Sequence, residues 1–171
     1  MKKSLMFLAL SAALVFGCKK DNETDSSATV KANLTKSWQA QKVEGKTPAG
    51  ITLNVYTKGS TTNLIDALGT FYVTFKSDGK FERSSLDPSS TQPETGTWTL
   101  GSDNKTITMV TSTGATLTYV ADPVTANSAT FKYNINVTNP TGIDALIVAR
   151  AQAFGQSLPA GSYLNFYVVP K

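Results

Sequence analysis

Histidine is absent from the 171-residue sequence, and cysteine occurs once. Histidine is the usual general base, the usual partner of a serine nucleophile and the commonest metal ligand. One cysteine cannot form an internal disulfide or a cluster of thiolate ligands. The sequence also contains no glycine-rich phosphate loop and no spaced calcium-binding loop. These absences predict a protein that is not an enzyme and that has no catalytic residues, no metal site and no cofactor.

Clusters of basic residues are absent as well. The formal net charge is +4, but from Asn33 onward the basic and acidic residues are scattered one at a time. A nucleic-acid-binding protein carries a basic patch or stripe. We therefore expect no nucleic-acid partner.

The apolar run Leu5–Phe16 is too short to span a bilayer comfortably. It follows Lys2 and Lys3 and precedes the small residue Gly17, which is the pattern of a secretory signal peptide. We therefore assign residues 1–17 to a signal peptide.

The segment Val15-Phe16-Gly17-Cys18 resembles the lipobox of bacterial lipoproteins. The resemblance implies that Cys18 carries palmitate-type acyl chains and becomes the first residue of the mature protein. It also implies a membrane-anchored protein of the bacterial cell envelope, in the outer membrane and facing either the periplasm or the cell surface. The alternative is an ordinary thiol within a cleaved signal peptide.

Residues 18–32 are polar and charged, with almost no large apolar side chains. Such a composition cannot bury enough surface to fold, so it predicts a flexible tether between the lipid and a single domain over residues 33–171. The charges after Cys18 also resemble export signals of surface lipoproteins, although a solvated linker has the same composition.

The clearest strand pattern lies in Thr70–Ser84. Phe71, Val73 and Phe75 alternate with polar residues, and Asp78-Gly79 is typical of a primed turn with positive φ angles. The segment therefore predicts a β-hairpin.

Further alternating segments follow at intervals of about ten residues, which is typical of an antiparallel sandwich or barrel. Trp38, Ala40 and Lys42 share one face of the first segment, and Asp122-Pro123 is expected to end another. We predict a mainly β fold, an antiparallel up-and-down barrel of about eight or nine strands with one or two short helices.

Two segments have helical rather than strand character. Lys58–Gly69 is expected to form one or two helical turns. Thr141–Phe154 has apolar residues at helical spacing, a capping-box pattern from Thr141 to Asp144, and Gly155 as a C-cap. Asp144 is therefore interpreted as a residue of a helix first turn.

Three segments together resemble the lipocalin-like (calycin-type) lipoproteins of Bacteroidetes-type bacteria. Leu34–Trp38 is similar to the opening leucine–glycine–tryptophan strand of that family, and Phe75–Phe81 to its phenylalanine–Asp-Gly hairpin. Gly96–Leu100, followed by Lys105–Thr108, is similar to a later strand pair. The resemblance implies a cup-shaped barrel, often with a central apolar cavity.

Several aromatic side chains are expected to point into this barrel. In one interpretation they line a ligand cavity, and in the other they fill the core. The candidate cavity-lining residues are Phe71, Phe75, Trp98, Phe131, Tyr133 and Phe166.

These observations favour a non-enzymatic lipoprotein that binds a small apolar or amphipathic ligand. The alternative is a structural or interaction module that engages an envelope protein or a glycan through its outer face or loops. Tyr56, Tyr72, Tyr163 and Tyr167 are expected on that outer face. A hydrolase that uses paired carboxylates is a third hypothesis.

Overall fold

The computed structural model describes residues 26–85, 90 and 92–171. The predicted signal peptide, Cys18 and the first part of the predicted tether lie outside these ranges. In chain order the elements are α1 (Ser27–Leu34), β1 (Ser37–Lys46), β2 (Thr52–Thr57), a 3-10 helix (Asp66–Thr70), β3 (Tyr72–Phe75), β4 (Lys80–Arg83), β5 (Glu94–Leu100), β6 (Thr106–Thr111), β7 (Thr116–Val124), β8 (Ala129–Asn134), α2 (Ile143–Ala153) and β9 (Tyr163–Pro170).

Eight strands form a closed antiparallel barrel, and β2 is an additional strand. Closure depends on β1, which pairs with β9 along one edge and with β3 and β2 along the other. Residues Ser37–Gln39 pair with β3, while Lys42–Lys46 pair with β2. The predicted antiparallel barrel with two short helices is confirmed.

The predicted hairpin is present as β3 and β4, but its turn differs from the prediction. Lys76 N–H donates to the carbonyl oxygen of Lys80 at 2.8 Å, which closes a three-residue loop. Gly79 has φ 78°. Asp78 does not have a positive φ, because Asn104 is the one non-glycine residue with a positive φ in the part of the chain that the structure describes. Asp78 instead uses Oδ1 to accept from Lys80 N–H at 3.0 Å. One glycine therefore supplies the left-handed conformation that was predicted for two residues.

A β-bulge in β1 changes which residues of that strand face inward, so the predicted inner face is wrong at Lys42. The register against β9 shifts between Ala40 and Lys42, so Gln41 is an extra residue. Val43 is consequently buried, whereas Lys42 is only partly buried. The bulge keeps a cation out of the core.

The predicted break at Asp122-Pro123 is also a bulge. These residues lie within β7, where the register against β8 shifts between Ala121 and Val124, and the peptide bond between them is cis. Because proline cannot donate a ladder hydrogen bond, an irregular position is where a strand accommodates it. The strand continues to Val124, which is buried.

Helix α1 overlaps the predicted tether, which ends at residue 32. Its Val30 and Leu34 are buried, and Leu34 accepts a hydrogen bond from Trp38 Nε1 at 3.0 Å. Residues 27–32 of the predicted tether are therefore helical, and Val30 packs against the core of the barrel.

Helix α2 confirms the predicted helix but not its capping box. The N-cap is Gly142, and no side chain caps the helix. Thr141 contributes its backbone carbonyl oxygen, which accepts from Asp144 N–H at 3.0 Å. At the other end the C-cap is Phe154, and the predicted Gly155 follows it with φ 69° and donates its N–H to Gln152 O at 2.8 Å.

The strand directions define two ends of the barrel. α1 directly precedes β1, so it lies at the end where β1 begins and where β9 ends. α2 connects β8 to β9, so it lies at the opposite end, where β4 also ends and β5 begins. We call these the α1 end and the α2 end.

Candidate functional site

Of the six predicted cavity-lining residues, five are buried in the barrel and pack in aromatic pairs, and Tyr133 is partly buried. The ring centroids of Phe71 and Phe166 are 4.6 Å apart, and those of Phe75 and Trp98 are 4.9 Å apart. Phe131 lies 6.1 Å from Phe75 in an edge-on arrangement. The middle of the barrel is therefore a packed aromatic cluster.

Two further aromatic residues complete this cluster. Trp38 lies 6.0 Å from Phe131, and the Tyr119 ring lies 6.2 Å from Phe131 and 6.3 Å from Phe166. Tyr119 is also 5.5 Å from Tyr133, the sixth predicted residue. Tyr119 therefore connects the apolar middle of the barrel to its α2 end.

At the α1 end, the polar atoms of the cluster are satisfied by backbone carbonyl groups. Trp38 Nε1 donates to Leu34 O, and Trp98 Nε1 donates to Lys76 O at 3.0 Å. The Lys36 ammonium spans the same end and donates to Ala126 O at 2.7 Å. This end is closed by α1 and by paired polar groups.

At the α2 end, the interior contains a buried cation. Arg83 lies on β4, and its Nε and Nη2 donate to Glu94 Oε2 at 3.0 and 2.8 Å. Arg83 Nη1 donates to the Tyr119 hydroxyl at 3.2 Å. Burial opposes the charge of Arg83, but Tyr119 and Glu94 outweigh it and raise the pKa of the guanidinium. Arg83 is therefore fully charged inside the barrel.

Asp144 is the second charged residue at this end. It lies in the first turn of α2, is 4 % exposed, and its Oδ2 accepts from the Tyr133 hydroxyl at 3.1 Å. Burial raises the pKa of Asp144, while the Asn136 N–H and the Tyr133 hydroxyl oppose that rise. Burial likewise raises the pKa of Tyr133, and the charge of Asp144 adds to the effect, so the tyrosine keeps its proton and donates it.

The other carboxylate oxygen, Asp144 Oδ1, is buried and has no hydrogen-bond partner. Within residues 26–85, 90 and 92–171, it is the one buried side-chain nitrogen or oxygen atom without a hydrogen-bond partner. An unpaired buried acceptor costs about 1–3 kcal/mol and more if it is charged, so such atoms are rare without a reason. Together, Arg83, Glu94, Tyr119, Tyr133 and Asp144 form the α2-end polar cluster.

Most of this cluster is not predicted from the sequence, although one signal is present. Arg83 lies two residues after Phe81, with Glu82 between them, so the alternation of the hairpin already places Arg83 on the inner face with Phe81. The spacing correctly predicts Asp144 in a helix first turn but does not predict its burial. Its burial against Tyr133 depends on how α2 is seated and leaves no trace in local spacing.

The outer-face tyrosines are less free than expected. Tyr56 is buried rather than exposed, because the bulge between β1 and β2 turns two consecutive side chains inward. Tyr72 donates to Glu82 at 2.9 Å, Tyr167 donates to Glu44 at 2.9 Å, and the Lys132 ammonium lies over the Tyr163 ring. These rings stabilise the barrel wall.

No group of three or more Cys, His, Asp or Glu side chains in residues 26–85, 90 and 92–171 is arranged to hold a metal ion. No helix within those residues is long and apolar enough to cross a membrane.

Comparisons with known proteins give a match among solved structures. No protein-family model matches the chain, and no curated protein matches it. Among solved structures, a DUF4847 family protein from Bacteroides vulgatus ATCC 8482 is similar over 80% of this chain and 94% of its own, with 16% identity and a TM-score of 0.37.

Proposed function

We propose that this protein is a lipid-anchored protein of the bacterial cell envelope that binds a small amphipathic molecule and catalyses no reaction. The apolar part of the ligand packs at the α2 end of the barrel, and its polar part meets the α2-end polar cluster. Attachment to the membrane is through acyl chains on Cys18.

The observation that supports ligand binding is the chemical asymmetry of the barrel interior. The α1 end is closed by polar groups that are paired to backbone carbonyls, whereas the α2 end contains Arg83, Asp144 and two tyrosine hydroxyls. Buried charges destabilise a fold unless they are paired and hydrogen-bonded, and a buried ion pair is weak evidence for a role in stability. The α2-end polar cluster therefore suits the polar part of an amphipathic ligand that binds at this end.

The surface of α2 is a second observation that supports a ligand site at the α2 end of the barrel. Apolar residues occur all around this helix, yet Ile143 and Ile147 are its buried apolar side chains, and Leu146 and Val148 are only partly buried. Phe154, just beyond the helix, is 63% exposed. The helix therefore offers more apolar surface than the barrel covers.

The first experiment is native mass spectrometry of the full-length protein extracted from its host envelope in mild detergent. The proposal expects an intact mass that includes acyl chains and an additional small molecule that is lost on denaturation. The matched variant Cys18→Ser should lack the acyl mass and leave the membrane fraction, while its barrel retains the small molecule.

Different results point to different functions. A barrel that carries no small molecule and takes up no apolar probe would contradict ligand binding and favour the interaction module. Full-length protein that lacks acyl mass and stays soluble would contradict the lipid anchor. The two parts of the proposal can therefore fail separately.

A further inference from the structure

The unpaired Asp144 Oδ1 can be assigned a ligand class, and the assignment rests on the function proposed above. The α2-end polar cluster contains two carboxylates, Glu94 and Asp144, but one guanidinium, Arg83. Arg83 directs two of its nitrogens to Glu94 and the third to Tyr119. No lysine or arginine in the described ranges forms an ion pair with Asp144.

The cluster is therefore one positive charge short of neutrality when Asp144 is ionised. A buried carboxylate without a cation is strongly disfavoured, and a hydrogen bond to a charged group is the strongest way to satisfy it. Oδ2 already accepts from Tyr133, and the backbone N–H of Asn136 also acts on this carboxylate, so the oxygen left without a hydrogen bond of good geometry is Oδ1. The missing group is thus a cation that also donates a hydrogen bond.

The surroundings of Asp144 define the rest of the ligand. On a helix, the residues three and four positions further along lie beside a given side chain. For Asp144 these are Ile147, which is buried, and Val148, which is partly buried. A ligand whose charged nitrogen reaches Oδ1 would therefore carry an apolar body alongside this face of α2.

We propose that Asp144 binds the protonated amine of a small amphipathic ligand, with the amine N–H donating to Oδ1 and the apolar body lying against α2. Tyr133 acts as a positioning residue, since its hydroxyl occupies Oδ2 and leaves Oδ1 for the ligand. Arg83 and Glu94 neutralise each other and contribute no net charge to recognition.

The test uses probes with one apolar tail and different polar groups: octylamine, n-octanol and octanoate. Calorimetric titration of the full-length protein in detergent should give octylamine the highest affinity, about ten-fold or more above n-octanol, because one charge-assisted hydrogen bond is added. Octanoate should bind most weakly, since it adds a second anion beside Asp144.

Variants then test the assigned residue. Asp144→Asn should weaken octylamine binding about ten-fold and leave n-octanol nearly unchanged, because it removes the charge but keeps the shape. Asp66→Asn is the matched control, since Asp66 lies in the first turn of the exposed 3-10 helix and should not affect either probe. If Asp144→Asn fails to fold, Tyr133→Phe replaces it and should also lower octylamine affinity. The carbon-13 shift of the Asp144 carboxyl should move on addition of octylamine.

Each outcome decides the proposal. Equal affinity for octylamine and n-octanol, or an octylamine affinity that Asp144→Asn does not change, would overturn the amine assignment while leaving ligand binding in place. Octanoate as the tightest probe would overturn it as well, and would transfer recognition to Arg83. Failure of all three probes to bind would remove both the assignment and the proposed ligand site.

Discussion

Arg83 and Glu94 are unequally buried, and the difference decides how each would respond to mutation. The Arg83 side chain is 6% exposed, whereas that of Glu94 is 30% exposed. Removing Glu94 leaves a cation in the interior, while removing Arg83 leaves a carboxylate that water can reach. We expect Glu94→Ala to lower the free energy of unfolding by about 3 kcal/mol, because an uncompensated buried charge is left behind.

Arg83→Met is the matched variant and should cost clearly less, because Met fills much of the same volume without a charge. Urea denaturation of both variants measures the difference. An equal cost, or a larger cost for Arg83→Met, would show that Arg83 acts mainly through packing.

Glu44 stabilises the folded state in a pH-dependent way. It accepts from Lys42 at 2.6 Å, from Tyr167 at 2.9 Å and from Lys46 at 3.2 Å. The hydrogen bond from Lys42, followed by those from Tyr167 and Lys46, lowers the pKa of Glu44 from 4.5 to about 2. Because the folded-state pKa is the lower one, the stabilisation is complete above pH 4.5 and is lost as the pH falls toward 2.

Glu44→Gln should therefore lower the melting temperature at neutral pH and reduce the loss of stability on acidification through this range. Thermal melts across the acid range measure both effects. Glu82→Gln is the control, since the nearest ammonium, that of Lys76, is 4.0 Å from Glu82 and both side chains are more exposed. A variant at Glu44 that keeps the full acid dependence would assign that dependence to another carboxylate.

At the scale of strands, Gly96 controls how closely β5 approaches its neighbours. A methyl group at this position would overlap the carbonyl oxygen of Val110 and lie 2.8 Å from Phe81 Cε1. The carbonyl belongs to the β5–β6 ladder and cannot move without breaking it. Gly96→Ala should therefore cost about 3 kcal/mol, at the upper end for overpacking.

Thr97→Ala is the control for Gly96→Ala, because Thr97 follows directly in β5 and its side chain is exposed. It should cost less than about 1 kcal/mol. Chemical denaturation of the two variants tests the difference. A mild effect of Gly96→Ala would mean that β5 and β6 can separate locally.

Helix α1 should behave as part of the domain and not as part of a tether. Leu34 is fully buried and its carbonyl oxygen accepts the Trp38 indole proton. Leu34→Ala should destabilise the fold by about 3 kcal/mol, since it removes buried methyl groups and leaves a cavity. Its control is Ala32→Ser, at an exposed position of the same helix.

Thermal melting measures the loss of stability. Near-ultraviolet circular dichroism of the Leu34→Ala variant measures the change in the surroundings of Trp38. If Leu34→Ala and Ala32→Ser melt alike, α1 contributes no stability and the tether extends to the start of β1.

For the whole molecule, the barrel is closed by strands from opposite ends of the domain. β9 pairs with both β1 and β8, and its Leu164, Phe166 and Val168 are buried. Deleting residues 163–171 should abolish cooperative folding and cause association, because it opens two strand edges and removes core residues from every layer.

Deleting Lys171 alone is the control, and it removes one hydrogen bond, from Lys171 N–H to Ser37 O at 2.9 Å. Circular dichroism and size-exclusion chromatography distinguish the two deletions. A truncated chain without β9 that stays monomeric and melts cooperatively would show that closure is not required for folding.

The sequence by itself determined the strands, most of their inward faces and the class of fold. Alternation at Ile107, Met109 and Thr111, or at Leu164, Phe166 and Val168, depends only on neighbours in the chain and is confirmed by their burial. The same local rule placed six aromatic residues inside the barrel. Such patterns need no tertiary information, because a strand with one buried face must alternate.

The tertiary structure decided the bulges, the extent of α1 and the α2-end polar cluster. A bulge changes which residues face inward only after two strands have paired, so Val43 replaced Lys42 and Tyr56 became buried. Asp144 lies only 11 positions from Tyr133 along the chain, but their contact depends on α2 folding back over the end of the barrel. The physical reason is that burial of a polar group is set by elements that meet in space, and local spacing carries no record of that meeting.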